Sequence, residues 1–117
     1  MNSRGDTSKE IEVLAKRIVP NSIEAIKRYT AGLTKEDFFS SIEKQDAVYR
    51  RLEVIGEAAN RLPDEFRKQY SLIPWYKIVS MRNVLIHEYD SIDLDRVWET
   101  IQRDIPKLEE YIKLIPS

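Results

Sequence analysis

Apolar residues recur at intervals of three and four along almost the whole chain, a spacing that places them on one face of an α-helix. The clearest stripe lies near the C-terminus and contains Trp98, Ile101, Ile105, Leu108, Ile112 and Ile115. Only three glycines interrupt the pattern. The sequence therefore predicts an all-α chain.

Capping residues and prolines divide this pattern into separate helices. Thr7 stands three residues before Glu10, as in a capping box, and Gly32 can end the first helical region in a left-handed conformation. Pro20 should kink or split that region, and Pro106 should bend the last helix, because proline lacks a backbone donor. Further helical segments are predicted from Thr34, from about Ser41 to Leu62, from Pro63, from Pro74 towards His87, and from Asp93 towards Ile115. The expected fold is a compact antiparallel bundle of four or five helices.

Length and composition limit the classes of protein that this chain can represent. Its 117 residues suit one domain, expected over residues 7–117 after a flexible tail of residues 1–6. We find no secretion signal and no apolar run long enough for a membrane span, so a cytoplasmic setting is expected. Without cysteine, and with a single histidine, neither a disulfide framework nor a good zinc site is expected. The net charge of -1 gives no overall basic field, so any RNA site must be local.

One arginine occupies a position where an apolar residue is expected. At about 100° per residue, an arc of about 80° either side of Trp75 contains Ile78, Val79, Leu85, Ile86 and Tyr89. Arg82 falls inside this arc, on the side expected to be buried or at an interface. Its guanidinium needs a carboxylate, backbone carbonyls or a bound anion. A packing arginine paired with an acid of a neighbouring helix would satisfy this need as well as a functional one.

His87 is the only histidine and lies five residues after Arg82, which turns it by about 140° on an ideal helix. Both side chains can meet at one point only if the helix loosens after Ile86 or if a second copy supplies one of them across a two-fold axis. A surface or capping histidine is the simpler interpretation of His87 alone. Tyr89 returns to nearly the azimuth of Arg82, where a core tyrosine with a solvated hydroxyl would be ordinary.

The spacing of Arg82, His87 and Tyr89 resembles the R-x4-H-x-Y signature of the HepT-like proteins, a branch of the HEPN superfamily. The similarity covers roughly residues 11–115 and extends to further segments in the same order: Gln45-Asp46-Ala47, Arg51 to Ala59, Ile73-Pro74-Trp75 and Met81-Arg82-Asn83. The resemblance implies a HEPN-like helical domain and an endoribonuclease that cuts RNA without a metal or another cofactor.

The same resemblance assigns roles to three residues. His87 is expected to act as general acid or base, Arg82 to clamp the phosphate, and Asn83 to act as an orienting donor. This fits internal transesterification of RNA, in which a base takes the 2′-hydroxyl proton and a cation stabilises the charged transition state. Each site is expected to draw on both copies of a homodimer.

The resemblance also implies a protein partner. HepT-like toxins are typically encoded beside a small nucleotidyltransferase antitoxin, which adds AMP units to the tyrosine of the signature, here Tyr89. Added phosphates would place negative charge beside Arg82 and so block the cation meant for RNA.

Two acidic residues on the long central helix are candidates for supporting roles. Asp46/Arg50 and Glu57/Arg61 have the spacing of stabilising ion pairs on a solvated face. Alternatively, Glu57 or Asp46 reaches Arg82 in the folded dimer and fixes its rotamer.

Three other positions on this helix point to packing rather than chemistry. Gln45 lies on its apolar line and should need a buried hydrogen-bond partner. Gly56 and Ala59 have little or no side chain, which permits a close helix crossing.

Two classes of function remain open from the sequence. The first is the homodimeric ribonuclease toxin. The second is a non-catalytic dimeric module that binds nucleotide or RNA and presents Tyr89 to the nucleotidyltransferase, a view that the near-neutral charge favours. A copy that has kept the fold and lost the activity is a third possibility.

Overall fold

Within residues 3–116, the chain forms six continuous helical segments, four of them long. Two of these segments each contain two α-helices joined by a π turn. The computed structural model describes the backbone of residues 3–116 and the side chains of residues 8–116. The helices are α1 (Ser3–Val13), α2 (Val19–Thr30), α3 (Lys35–Phe39), α4 (Ile42–Arg61), α5 (Asp64–Gln69), α6 (Trp75–His87), α7 (Leu94–Glu99) and α8 (Ile105–Ile112). A π-helical turn, Leu14–Ile18, joins α1 to α2, and another, Thr100–Asp104, joins α7 to α8. A short 3₁₀ turn, Tyr89–Ser91, follows α6. The all-α prediction is confirmed, since no β-strand occurs within residues 3–116.

Each π turn ends two residues before a proline. The N–H of Val19 donates to the carbonyl of Leu14, and that of Ile105 donates to the carbonyl of Thr100, five residues back in each case. Pro20 and Pro106 follow directly, where an α-helical turn would bring the ring against the carbonyl four residues earlier. Both prolines therefore perturb their helices as predicted, but the chain stays helical on both sides of each.

The ends of the helices follow the capping signals. Thr34 and Asp37 form a reciprocal capping box at the start of α3, and Ser41 and Asp93 accept backbone N–H groups at the starts of α4 and α7. Gly32, with φ +75, ends α2 in the predicted left-handed conformation.

The start of the first helix differs from the prediction. That helix begins at Ser3 rather than Thr7, and the Thr7 side chain lies outside the described residues. Met1 and Asn2, the first residues of the expected tail, lie outside them as well.

Helix α4 lies at the centre and packs against both α2 and α6. Its buried side includes Val48, Leu52 and Ile55, each no more than 4% exposed. Gln45, on the same side, donates through Nε2 to the carbonyls of Phe38 and Phe39, 3.1 Å away in each case. The carbonyl groups at the C-terminal end of α3 therefore supply the hydrogen-bond partners that the sequence predicted for Gln45. Within residues 3–116, no helix is both long enough and apolar enough to cross a bilayer.

The closest approach between α4 and α6 occurs at Gly56. A Cβ placed on this residue would lie 2.2 Å from the Cβ of Arg82 and 3.2 Å from the carbonyl oxygen of Ile78. Ala59, one turn along, is 1% exposed and also small. The sequence prediction of a close crossing is confirmed, and the residue that fills the space above Gly56 is the candidate arginine.

We expect Gly56→Ala to destabilise the fold, because the added methyl group cannot fit without moving the stem of Arg82. The cost of overpacking, about 1–3 kcal/mol, should outweigh the gain of about 1 kcal/mol in helix propensity. Urea denaturation gives the free energy of unfolding.

Gly32→Ala is the matched control for this substitution. It should cost about 1–2 kcal/mol through its left-handed backbone alone, since no atom lies within 4 Å of the added Cβ. A Gly56→Ala variant more stable than the wild type would contradict the close crossing.

Candidate active site

Arg82 is held by two side chains at the crossing of α4 and α6. Its Nη2 donates to Glu57 Oε2 at 2.8 Å, and its Nη1 donates to Asn83 Oδ1 at 2.9 Å. The side chain is 25% exposed, while its Nε is buried without a hydrogen-bond partner in the part of the chain that the structure describes. Of the partners that the sequence left open, an acid of a neighbouring helix is the one observed, and it is Glu57. The pair fixes the guanidinium at the protein surface rather than in the core.

Asn83 is exposed and turns its amide oxygen towards Arg82. The sequence assigned it the role of a donor, yet in this contact it is the acceptor. Its amide nitrogen makes no hydrogen bond to any described residue, so that group can still donate to a ligand. Asn83 thus supports the arginine and offers a donor beside it.

His87 is the last residue of α6 and is exposed. The helix keeps its regular hydrogen bonds up to this point, since the N–H of Glu88 donates to the carbonyl of Val84 at 2.9 Å. The loosening after Ile86 that would bring His87 towards Arg82 does not occur. The two residues consequently remain about 140° apart around α6.

Tyr89 lies outside α6, contrary to the angular count. Because the helix ends at His87, Tyr89 enters the 3₁₀ turn and is 56% exposed rather than buried beside Arg82. Its hydroxyl donates to Asp46 Oδ1 at 2.9 Å, and its ring meets the edge of Tyr49 at 6.2 Å between centroids. The turn after α6 is therefore fastened to α4.

The buried face of α6 is also rotated from the predicted one. Ile86, expected on the buried side, is 44% exposed, whereas Met81, outside the predicted arc, is 5% exposed. The count was centred on Trp75, which lies at the edge of the true face. The shift leaves Asn83, Ile86 and His87 exposed together near the end of the helix.

The two acidic candidates, Glu57 and Asp46, contact different residues. Glu57 reaches Arg82 within one chain, and Asp46 reaches Tyr89 instead of Arg82. The predicted pairs of Asp46 with Arg50 and of Glu57 with Arg61 are absent among the described side chains. An exposed ion pair within one helix contributes only a few tenths of a kcal/mol to stability. The contacts of Glu57 with Arg82 and of Asp46 with Tyr89 are therefore formed in place of these pairs.

The cluster around Asp46 affects two tyrosines. The hydrogen bond to Asp46 raises the pKa of Tyr89, with the charge of Asp46 as the next contribution. Burial raises the pKa of Tyr49 to about 12, helped by Tyr89 and Asp46. Both phenols therefore ionise less readily than an ordinary tyrosine. Tyr49 was not foreseen, although its spacing of three from Asp46 places both on one side of α4.

Metal ligands do not gather at this site. Among the described side chains, no group of three or more histidine, cysteine, aspartate or glutamate residues could hold a metal ion.

Alkaline titration should reveal the influence of Asp46. Asp46→Asn removes a negative charge that both tyrosines experience, so Tyr49 and Tyr89 should ionise at lower pH than in the wild type, where Tyr49 ionises near pH 12. Tyrosinate absorbance measures this, with Tyr49→Phe and Tyr89→Phe to assign the steps.

The linked effect on stability has a defined sign. Because the folded-state pKa of Tyr49 is raised above 10.0, its neutral form contributes stability that is present below that pH and lost as the pH rises through about 12. Glu43→Gln, an exposed change in the first turn of α4, should alter neither tyrosine. Unchanged titration in Asp46→Asn would refute the cluster.

Comparison with known proteins adds an independent line of evidence. The family described as "Ribonuclease HepT-like" matches residues 19–115. A "gamma-glutamylcyclotransferase and putative RNase" of Methanocaldococcus jannaschii is 47% identical over 104 residues, which cover 89% of this chain and 46% of that protein. The chain thus spans about half the length of this relative. No solved structure matches the chain significantly.

Two relatives of similar size match over most of both chains. A "putative RNase" of Caldanaerobacter subterraneus is 44% identical over 80% of each chain. A "probable ribonuclease HepT" of Thermococcus cleftensis is 38% identical over 78% of this chain and 83% of its own. With the family match spanning residues 19–115 and Arg82, His87 and Tyr89 in place, the chain belongs to the HepT-like ribonuclease family.

Proposed function

We propose that this protein is a metal-independent endoribonuclease toxin that works in the cytoplasm and cuts RNA at a composite site of a homodimer. The observation that carries the proposal is the fixed guanidinium of Arg82, held at the surface by Glu57 and Asn83 on the helix that ends in the exposed His87. Membership of a ribonuclease family supports the choice of RNA as substrate.

The reaction requires one base and one cation. His87 accepts the proton of a 2′-hydroxyl, whose oxygen attacks the adjacent phosphorus atom. The bond from phosphorus to the 5′-oxygen breaks, and the leaving oxygen takes a proton from water, to which the protonated His87 returns the proton it accepted. The products are a 2′,3′-cyclic phosphate and a free 5′-hydroxyl. Arg82 and the amide nitrogen of Asn83 donate to the non-bridging oxygens, where negative charge grows in the transition state.

Glu57 is proposed as a positioning residue for this step. Its carboxylate accepts a hydrogen bond from Nη2 of Arg82 and so restricts the movement of the guanidinium. The ion pair also neutralises part of the charge that a phosphate would meet. A phosphate must therefore bind at the remaining donors or displace Glu57, which is 50% exposed.

A second copy completes the site in this proposal. The regular helix keeps Arg82 and His87 about 140° apart, so the histidine of one copy is matched with the arginine of the other. The exposed residues Asn83, Ile86 and His87 supply a face through which two α6 helices can meet. Ile86 gives that face an apolar contact beside its polar groups.

Tyr89 is proposed as the site at which a small nucleotidyltransferase antitoxin attaches AMP. Its 56% exposure and surface hydroxyl support access by an enzyme. Modification removes the hydroxyl proton that binds Asp46 and puts a phosphate beside this carboxylate. Repulsion would then drive the tyrosine away from Asp46 and rearrange the turn that follows His87.

A non-catalytic module that binds nucleotide or RNA and serves as substrate of the nucleotidyltransferase is the second candidate. The pairing of Arg82 with Glu57 favours it, because an arginine already neutralised is a weaker clamp. The net charge of -1 points the same way.

Purified protein should cleave single-stranded RNA in the presence of EDTA. His87→Ala should lower the rate by about 10²–10⁴-fold through loss of proton transfer, and Arg82→Ala should also be severely impaired. Glu110→Gln, an exposed change on helix α8, is the control for a surface change. Cleavage that continues unchanged in His87→Ala would remove this histidine from the mechanism.

Mixing the two inactive variants tests the composite site directly. After subunit exchange, each mixed dimer would hold one site with both Arg82 and His87 intact and one site with neither. Activity should therefore return on mixing. If each chain carried a complete site of its own, the mixture would stay as inactive as its parts.

Modification should be visible by mass. Co-expression with a cognate nucleotidyltransferase should add one or more AMP units to the wild type, and a Tyr89→Phe variant should gain none. Peptide mapping places the addition. An AMP-sized increment that persists in Tyr89→Phe would move the modification to another residue and contradict this part of the proposal.

A further inference from the structure

An open groove of about 620 Å³ lies between α5 and the start of α6. Its wall is apolar and includes Ile73, Trp75 and Val79. Trp75 is fixed there, because its indole N–H donates to the carbonyls of Arg67 and Tyr70 at 3.1 Å. The groove is thus a preformed surface with a rigid aromatic wall.

Tyr76 stands at the edge of this groove and is 86% exposed, the most exposed of the large hydrophobic side chains described. Fold stability cannot explain an aromatic ring left in water, since burial is what makes such a ring stabilising. An exposed ring beside a groove can instead stack on a planar ligand.

The groove also carries positive charge. Lys68 lines it, is exposed, and forms no ion pair with any described side chain. Arg67 lines it too but is matched by Asp64 at 2.6 Å. The charge left over is the ammonium of Lys68, on the helix that faces Tyr76 across the groove.

We propose that this groove is a subsite for single-stranded RNA, in which a base stacks on Tyr76 and a neighbouring phosphate meets Lys68. An aromatic platform beside a cation is how proteins hold single strands without reading their sequence. The inference rests on the proposed function, because it treats the groove as part of the path to the cleavage site.

The position of Tyr76 on α6 supports this path. Tyr76 and Asn83 are seven residues apart, which returns them to nearly the same azimuth about 10.5 Å along the helix. At about 3.4 Å per stacked nucleotide, this distance corresponds to roughly three nucleotides, and to fewer in an extended strand. A strand whose scissile phosphate lies at Arg82 and Asn83 can therefore reach Tyr76 along one helix face.

Another exposed apolar surface shows what distinguishes the groove. Leu72 and Leu114, 76% and 70% exposed, line a hollow with Gln69, Tyr70 and Tyr111 but no charged side chain. That hollow has no cation to attract the phosphates of RNA. The groove at Tyr76 combines an exposed ring on the helix of the candidate site with the ammonium of Lys68 on α5, which favours RNA as its occupant.

Binding should be measured in a His87→Ala background, so that the RNA stays intact. Fluorescence anisotropy with a labelled single-stranded RNA of mixed sequence gives the dissociation constant. Tyr76→Ala should raise it by roughly 5- to 150-fold, the equivalent of about 1–3 kcal/mol for one stacked base. Tyr76→Phe should stay close to the parent, because the ring alone stacks. Lys68→Ala should weaken binding and reduce its dependence on salt.

Leu114→Ala, an equally exposed apolar position in the other hollow, is the matched control and should leave binding unchanged. Equal binding by Tyr76→Ala and its parent would overturn the subsite, as would a parent that binds no RNA. If Tyr76→Ala lost affinity only because its dimer dissociated, as sedimentation would show, the ring would belong to an interface between copies and the proposal would fail. RNA binding that depends on Tyr76, in a wild type that never cleaves, would support the subsite while refuting the ribonuclease.

Discussion

The contact between Gly56 and the stem of Arg82 is the constraint on which the rest of the site depends. Without a side chain at Gly56, α6 lies close enough to α4 for the arginine to pass over the helix and meet the next residue, Glu57. Gly56 therefore leaves space for the stem of Arg82, and Glu57 supplies the carboxylate that pairs with its guanidinium. A larger residue at the crossing would displace the guanidinium as well as the backbone.

Helix α4 acts as the support, and α6 presents the reactive groups. The same α4 that holds Arg82 through Glu57 also holds Tyr89 through Asp46, eleven residues earlier in the chain. His87 lies between these two anchored residues at the point where α6 ends. Its position is thus fixed from both sides although its own side chain is exposed.

Sequence reasoning succeeded where the signal is local. Prolines, capping residues and the spacing of apolar residues predicted the helices, and the lack of a side chain at Gly56 predicted the close crossing of α4 and α6. The arginine in an apolar stripe also correctly predicted the need for a partner, and a carboxylate was one of the three kinds considered. Sequence reasoning failed where the outcome depends on where a helix stops: the angular count carried α6 through Tyr89, so Tyr89 was placed inside. Ile86 was placed inside for a second reason, because the count was centred on Trp75, at the edge of the true buried face. The bond between Asp46 and Tyr89 joins residues 43 apart, and no local pattern indicates it. The tertiary partners of Glu57 and Asp46 prevailed over the weak pairs within α4, a competition that spacing alone cannot decide.

The two π turns impose a condition on the length of the chain. Each turn holds about one residue more than an α-helical turn, so every side chain beyond it is rotated by about 100° relative to an unbroken helix. Ile105, Leu108 and Ile112 lie beyond the second turn and face the core. A point change at the second turn leaves this alignment intact, whereas the gain or loss of one residue would turn the apolar side of α8 towards water. The segment before each proline can therefore vary in sequence far more freely than in length.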